Sequence, residues 1–333
     1  MVNLLMVRRH FFVSVSPVIA FVTSFALLGV CTAQTGKSNP VNSKPSVAAS
    51  TQESDPVLVG AGDIATCGQL DGAEATAKLL DQIPGAVFAV GDLAYPDGSE
   101  ENFAKCYDPT WGRHKARTRP APGNHEYHIG GASAYSHYFG AAAGDPDKAY
   151  YSYDLGKWHV IVLNSECPEV GGCAAGSPQE QWLRQDLSQH PQLCTLAYFH
   201  KPLFSSGGKH GNDPEVKPLW QALYAAGAEI VINGHDHDYE RFAPQDPDGK
   251  SDPTHGIREF VVGTGGKDSH RTMGKPQPNS EARNDDTYGV LKLTLHPKSY
   301  DWQFVPEAGK TFTDSGSAGC HESQHQTLFR RIR

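Results

Sequence analysis

The chain has 333 residues, 38% hydrophobic and 20% charged, with a net charge of −8. This is an ordinary globular composition, long enough for one large core or two small ones. The acidic balance excludes a nucleic-acid binder driven by phosphate neutralisation.

At the N-terminus, Arg8 and Arg9 precede FFVSVSPVIAFVTSFALLGVCTA, which ends in small residues. A basic start, an apolar run and a small-residue end read as a signal peptide over residues 1–33, cut near Ala33–Gln34, so the protein is expected to be secreted or periplasmic. VRRHFF is similar to a loose twin-arginine signal, Cys31 offers a lipid-anchor alternative, and the run is nearly long enough for a retained anchor; the export route stays open. Residues 34–55 are polar and rich in Ser, Pro and Asn, which predicts a disordered linker. The folded domain is expected over 56–321, with 322–333 as a tail. No other segment approaches membrane-spanning length.

Beyond Cys31 the cysteines are Cys67, Cys106, Cys167, Cys173, Cys194 and Cys320. An even number in an exported chain predicts disulfides rather than metal ligation, and six allow fifteen pairings. Proximity suggests Cys167–Cys173 around PEVGG. Cys67–Cys106 is a guess, made because both follow motifs that are expected to lie side by side.

VLVGAG reads as a strand, and DGAEATAKLLDQI as a helix presenting Ala75, Leu79, Leu80 and Ile83. AVFAV is a second strand, and RTRPAP a short one. YYSYDLG and KWHVIVLN form a hairpin turning at Gly156–Lys157. SPQEQWLRQDLSQH opens a helix with a Ser cap, Pro next and Glu three residues after the cap. CTLAYF and AEIVIN are strands flanking the helix PEVKPLWQALYAAG, which ends at Gly227. GIREFVVGTGG and YGVLKLTLHPKSYDWQFVPEAG read as antiparallel strands, the latter a hairpin. Strands alternating with helices and then paired strands predict an α/β layered fold, with a mixed sheet or two packed sheets.

Five of these strands run into chemistry-bearing residues: Asp63; 91-GDLAY-95; 123-GNHEY-127; His200; and 234-GHDHDYER-241. Functional groups gather beyond the carboxyl ends of strands in α/β sheets. The glycines at 62, 91, 123 and 234 are expected to let the backbone turn where each strand stops. Asp63, Asp92, Tyr95, Asn124, His200, His235 and His237 are more donors than one structural zinc needs. A carboxylate such as Asp92 can bridge two ions. Mixed oxygen and imidazole donors suit iron, manganese or zinc, and a phenolate favours Fe(III).

The ordered set GD…GDxxY…GNHE…H…GHxH with the trailing DYER resembles the calcineurin-like metallophosphoesterases, and the Tyr of GDLAY resembles the purple acid phosphatase branch. The resemblance covers most of residues 57–305. It implies a single catalytic domain of two mixed sheets flanked by helices. It implies Asp63, Tyr95 and His237 around a ferric ion, Asn124, His200 and His235 around divalent iron, zinc or manganese, and Asp92 between them. It further implies phosphoric ester hydrolysis by a metal-bridging hydroxide, with His125 contacting the phosphate and His210 binding phosphate or protonating the leaving group. Small phosphate esters are the implied substrates and an acid optimum is expected. The alternatives are a phosphodiesterase or phospholipase-like hydrolase on the same core, and a non-catalytic metal-binding surface protein.

Three departures from the family pattern stand out. GDIA replaces GDxG, so Ala65 is expected to alter the loop near the ferric site. AYFH replaces VxxH, which changes a packing position only. With only a linker read between signal and first motif, the N-terminal β-sandwich of the large plant enzymes is not expected here. Elsewhere, His159 is read as packing, and His114, His128 and His137 as solvated or as partners of the ligand residues. Asp236 and Asp238 are read as pointing away or supporting the site, Glu240 and Arg241 as structural, and the segment GTGG (Gly263–Gly266) as a turn near the site.

Overall fold

A computed structural model describes residues 55–190, 194–268 and 273–321. The predicted signal segment, the linker save its last residue, Cys31 and the tail lie outside the described residues.

The strands are β1 (Val57–Ala61), β2 (Ala65–Thr66), β3 (Ala86–Val90), β4 (Ala94–Tyr95), β5 (Thr118–Ala121), β6 (Tyr151–Leu155), β7 (Trp158–Val162), β8 (Cys194–Tyr198), β9 (Ile230–Asn233), β10 (Tyr239–Phe242), β11 (Arg258–Val262), β12 (Ser280–Asn284), β13 (Gly289–His296), β14 (Ser299–Pro306) and β15 (Ser315–Gly319). One sheet has the order β15-β14-β13-β1-β3-β5, the other β12-β10-β11-β9-β8-β7-β6, and β2 pairs with β4 alone. Strands β1, β3 and β5 run parallel, as do β7, β8, β9 and β11. Side chains from both sheets, among them Phe88, Val160, Leu196, Ile230, Phe260 and Leu291, share one buried core. Helices Pro178–Gln189 and Lys217–Ala226 cover the outer face of the second sheet through Leu183, Trp220 and Leu223. This is the two-sheet α/β sandwich that the sequence predicts.

Strands β3, β8 and β9 are almost wholly buried, which is why their sequences are continuous apolar runs. Hairpin β13–β14 alternates because its other face is wet. Ser177 caps its helix by accepting from Glu180 N at 3.4 Å, and Gly227 ends the next helix at φ 80°.

Two expectations change, and strand β10 goes unread in the sequence. The helix Asp71–Gln82 buries Ala73, Thr76, Ala77 and Leu80, whereas Ala75, Leu79 and Ile83 are only partly covered. A Cβ on Gly72 would stand 2.5 Å from Gly266 O, and Thr76 Oγ1 donates to Gly265 O at 2.5 Å, so only small residues fit at this close approach. Strand β11 pairs parallel with β9 as well as antiparallel with β10. Strand β10 escapes a hydropathy reading because Glu240, fully buried within it, is satisfied by the hydroxyls of Ser206 and Ser280.

Disulfides join Cys67–Cys106 and Cys167–Cys173, as read from the sequence, and also Cys194–Cys320, which ties the start of β8 to the last described residues.

Candidate metal centre

Parallel strands that end together deliver their following residues to one place. Asp63 follows β1, Asp92 follows β3, Asn124 follows β5, His200 follows β8 and His235 follows β9. The two sheets are joined at this rim by Gly62 N donating to Val262 O at 2.9 Å and Gly265 N donating to Gly62 O at 2.8 Å. The loops carrying Asp63 and Asp92 run side by side, with Asp63 N, Ile64 N and Ala65 N donating to Gly91 O, Asp92 O and Leu93 O. Ala65 is fully buried in the β2–β4 pair next to Tyr95, so the departure from the family pattern sits in a packed ladder.

The glycines act differently from the expectation. Among Gly62, Gly91, Gly123 and Gly234, only Gly91 has a left-handed φ, of 79°. Three of the donor residues themselves take that conformation: Asp63 at 58°, Asp92 at 53° and His235 at 74°. The glycines leave room instead. A Cβ on Gly91 would lie 2.4 Å from the His200 ring, one on Gly123 2.3 Å from Asp92 Oδ1, and one on Gly234 2.6 Å from Asp63 Oδ2.

Two groups of donors result. Tyr95 OH lies 2.8 Å from Asp63 Oδ1 and 3.2 Å from His237 Nε2. His200 Nε2 lies 3.2 Å from His235 Nδ1. Asp92 Oδ2 touches both groups, 3.1 Å from Tyr95 OH and 3.2 Å from His200 Nε2. Asp92, His200 and His235 each offer one atom within 4.8 Å of the others.

These residues fit cations on three counts. Asn124 Oδ1 is buried and accepts no hydrogen bond among the described residues, a costly state unless a cation satisfies it. His200 Nδ1 faces Val90 O at 3.0 Å and His237 Nδ1 faces Asp268 O at 2.7 Å. A carbonyl accepts only, so each Nδ1 carries the proton and each Nε2 turns a lone pair inward. Finally, the two neighbouring imidazoles shift in opposite senses. Burial works against the charge of His200, but Asp92 and Asp63 outweigh it and raise the ring to about 10. Burial and the His200 and His210 charges push His235 down to about 2. Two rings this close are not both charged imidazolium, whereas a cation would accept both as neutral donors. Burial and the Asp63 and Asp92 charges also push the Tyr95 phenol up, so ionising it takes a strong Lewis acid.

The His125 ring packs against that of Tyr95, tilted by 53° with ring centroids 4.3 Å apart. Its Nδ1 faces Pro96 O at 2.5 Å, and its Nε2 lies 3.7 Å from Asp92 Oδ2. The His128 ring lies tilted against that of His125 at 4.5 Å, and the His210 ring lies 4.0 Å from that of His235. All nine residues singled out in the sequence therefore stand at this one rim.

Sequence reasoning missed Glu126. Its fully buried carboxylate accepts from Asp92 N, Leu93 N and Gly123 N at 2.8 to 2.9 Å, fastening two donor loops together. Its place in GNHE was the available signal. Also missed were Lys267, whose Nζ lies 5.1 Å from the Tyr95 ring centroid, and the orienting carbonyl of Asp268. Both lie on the loop that GTGG begins.

Most of the remaining polar residues have structural partners, although the buried Asp238 Oδ1 accepts no hydrogen bond among the described residues. Glu240 binds Ser206 and Ser280, while Arg241 binds Asp314 and Glu281. His114 is buried against Ala77 O and Asp81 rather than solvated; His137 is exposed and pairs with Glu100. His159, Asp186 and His190 also gather within ligand distance. There, however, both nitrogens of His159 already face carboxylates, of Asp154 at 2.9 Å and Asp186 at 2.7 Å.

Residues 57–239, more than half of the chain, match the family model for calcineurin-like phosphoesterases, and the chain belongs to that family. Purple acid phosphatase 21 of Arabidopsis thaliana is 28% identical over 300 residues, covering 79% of this chain and 66% of that protein. Purple acid phosphatase 18 of Arabidopsis thaliana is 29% identical over 261 residues, covering 71% and 56%. The chain thus spans less than two thirds of the length of these relatives. The solved purple acid phosphatase PPD1 from yellow lupin (Lupinus luteus) seeds shares the fold, with a TM-score of 0.66 at 20% identity over 83% of this chain and 55% of that one.

Proposed function

We propose that this chain is an exported two-metal phosphoric ester hydrolase of the acid phosphatase kind, acting on small phosphate monoesters through a catalytic domain over 56–321. Asp63, Tyr95 and His237 would hold a ferric ion, Asn124, His200 and His235 a divalent iron, zinc or manganese ion, and Asp92 would be shared. The observation that carries the reading is the single Asp92 oxygen in contact with both donor groups. Two bound cations supply charge neutralisation for the phosphate and lower the pKa of water.

The chain's own residues supply the rest. His125, committed through Nδ1 to Pro96 O, would offer Nε2 to the phosphate. His210, beside His235, would give a proton to the departing alkoxide, an effect typically worth about 10²–10⁴-fold. Burial and the Lys209 charge lower the His210 imidazole despite the opposing Asp236 charge, so its protonated form is favoured in acid. Three disulfides support an oxidising compartment. No described helix is long and apolar enough to cross a membrane.

The test is hydrolysis of p-nitrophenyl phosphate and of bis(p-nitrophenyl) phosphate, with metal analysis, by the wild-type protein and Asp92→Asn. The monoester should be the faster substrate. Asp92→Asn should lose about 10³-fold in kcat/KM, equivalent to about 4 kcal/mol of barrier. A faster diester would make the protein a phosphodiesterase. Full metal content with neither ester hydrolysed would make it a metal-binding protein without this activity.

A further inference from the structure

The loop that bears His210, 205-SSGGKHG-211, contains three glycines and no apolar anchor. Such a loop pays heavily in conformational entropy to hold one shape. Two buried carboxylates from another segment hold it: Glu240, which accepts from Ser206 N at 2.7 Å and Ser206 Oγ at 2.6 Å, and Asp236. Asp236 stands between His235 and His237, is 1% exposed, and fills the inside of the loop. Its Oδ2 accepts from Ser205 Oγ at 2.5 Å and from Gly211 N at 3.0 Å, and its Oδ1 accepts from His210 N at 3.2 Å. Ser205 Oγ in turn accepts from Gly207 N at 2.9 Å. The fit is tight: a Cβ on Gly207 would lie 1.9 Å from Asp236 Cγ. The segment that supplies two donors to the centre thus also gathers the backbone of the loop opposite and grips the N–H of His210 itself.

We infer that Asp236 is the positioning residue for His210, fixing its imidazole where the leaving group departs; this rests on the proton-donor reading of His210 given above. Orientation of a reacting group is worth several orders of magnitude, so a loosened loop should forfeit most of what the donor contributes. The loss should depend on the leaving group. An alkoxide needs a proton to depart, whereas 2,4-dinitrophenolate does not.

The experiment measures kcat/KM on glycerol phosphate and on 2,4-dinitrophenyl phosphate, with metal content, for wild type, His210→Ala, Asp236→Ala, Asp236→Asn and the double variant His210→Ala/Asp236→Ala. In Asp236→Ala the alkyl ester should lose about 30- to 100-fold, and the dinitrophenyl ester less than about threefold, with metal retained. Asp236→Asn keeps one acceptor oxygen and should recover part of the loss. The double variant should be no slower than His210→Ala. Gly207→Ala crowds the same Asp236 carboxylate from the loop side with residues 235–237 themselves unsubstituted, and with metal retained it should show the same selectivity, which decides the matter if Asp236→Ala loses metal. Equal losses on both esters in Asp236→Ala with metal bound, an unselective Gly207→Ala, or additive losses in the double variant would overturn the assignment while leaving a selective His210→Ala intact. An unselective His210→Ala would overturn the proton-donor reading and the assignment with it.

Discussion

Asp63, Asp92 and His235 hold backbone angles that residues with a Cβ avoid, at a cost of about 1–3 kcal/mol each. Such strain persists where surrounding contacts over-determine it. Here Asp63 Oδ2 accepts from His235 N at 2.8 Å, Asp92 Oδ1 accepts from His125 N at 2.9 Å, and Glu126 holds Asp92 N at 2.9 Å. Gly91, Gly123 and Gly234 belong to the same device, because each vacates the space that another donor fills, whereas Gly62 makes room for Val90. Gly123→Ala should therefore displace the Asp92 carboxylate and weaken metal binding by about 10- to 100-fold, the range seen when the supports of metal ligands are removed. Glu126→Gln, which turns an amide NH₂ against backbone donors, should do the same. Chelator competition measures the affinity and circular dichroism the fold; unchanged affinity in both variants would show that these contacts do not set the site.

At the scale of elements, strand β7 and the helix Pro178–Gln189 are pinned by His159. Its imidazole is 1% exposed and lies between Asp186 and Asp154. Burial pushes the ring down, but the two carboxylates outweigh it and hold the ring above its ordinary 6.5. A raised folded value means that the stabilisation is fully present below about pH 6.5 and is lost as pH climbs through the folded value. Asp186→Asn should cost about 3 kcal/mol at pH 5.5, as expected when one partner of a buried pair is removed. The gap to wild type should narrow toward pH 9 in denaturant titrations; a gap independent of pH would rule out the charged pair. His159 reads as packing in KWHVIVLN although Asp154, its cross-strand partner in the hairpin turning at Gly156–Lys157, was an available signal; Asp186, 27 residues away, was not. The strands β1, β3, β8 and β9 are legible because burial on both faces writes unbroken apolar runs. Strand β10 is not, because its buried Glu240 depends on hydroxyls from Ser206 and Ser280, remote in the sequence.

At the scale of the whole molecule, the donors were legible because parallel strands carry them all to one end, so the order of motifs in the chain already encodes a place in space. The supports were less legible: GNHE offered a signal for Glu126 and Asp236 was read as pointing away or supporting the site, but Lys267, the Asp268 carbonyl and the loop that Asp236 grips act through contacts that neither residue type nor spacing announces. Pairing of Cys194 with Cys320 was equally hidden, since it joins the second sheet to the far end of the domain. What the assembled molecule amounts to is a rim where two sheets meet and one aspartate belongs to both halves of a donor set. The most direct measurement is anomalous diffraction, at metal absorption edges, from crystals of the purified protein. The account predicts two metal peaks about 3.5–4 Å apart, one on each side of Asp92; a single peak, or none at the Asp92 carboxylate in metal-supplemented protein, would contradict it.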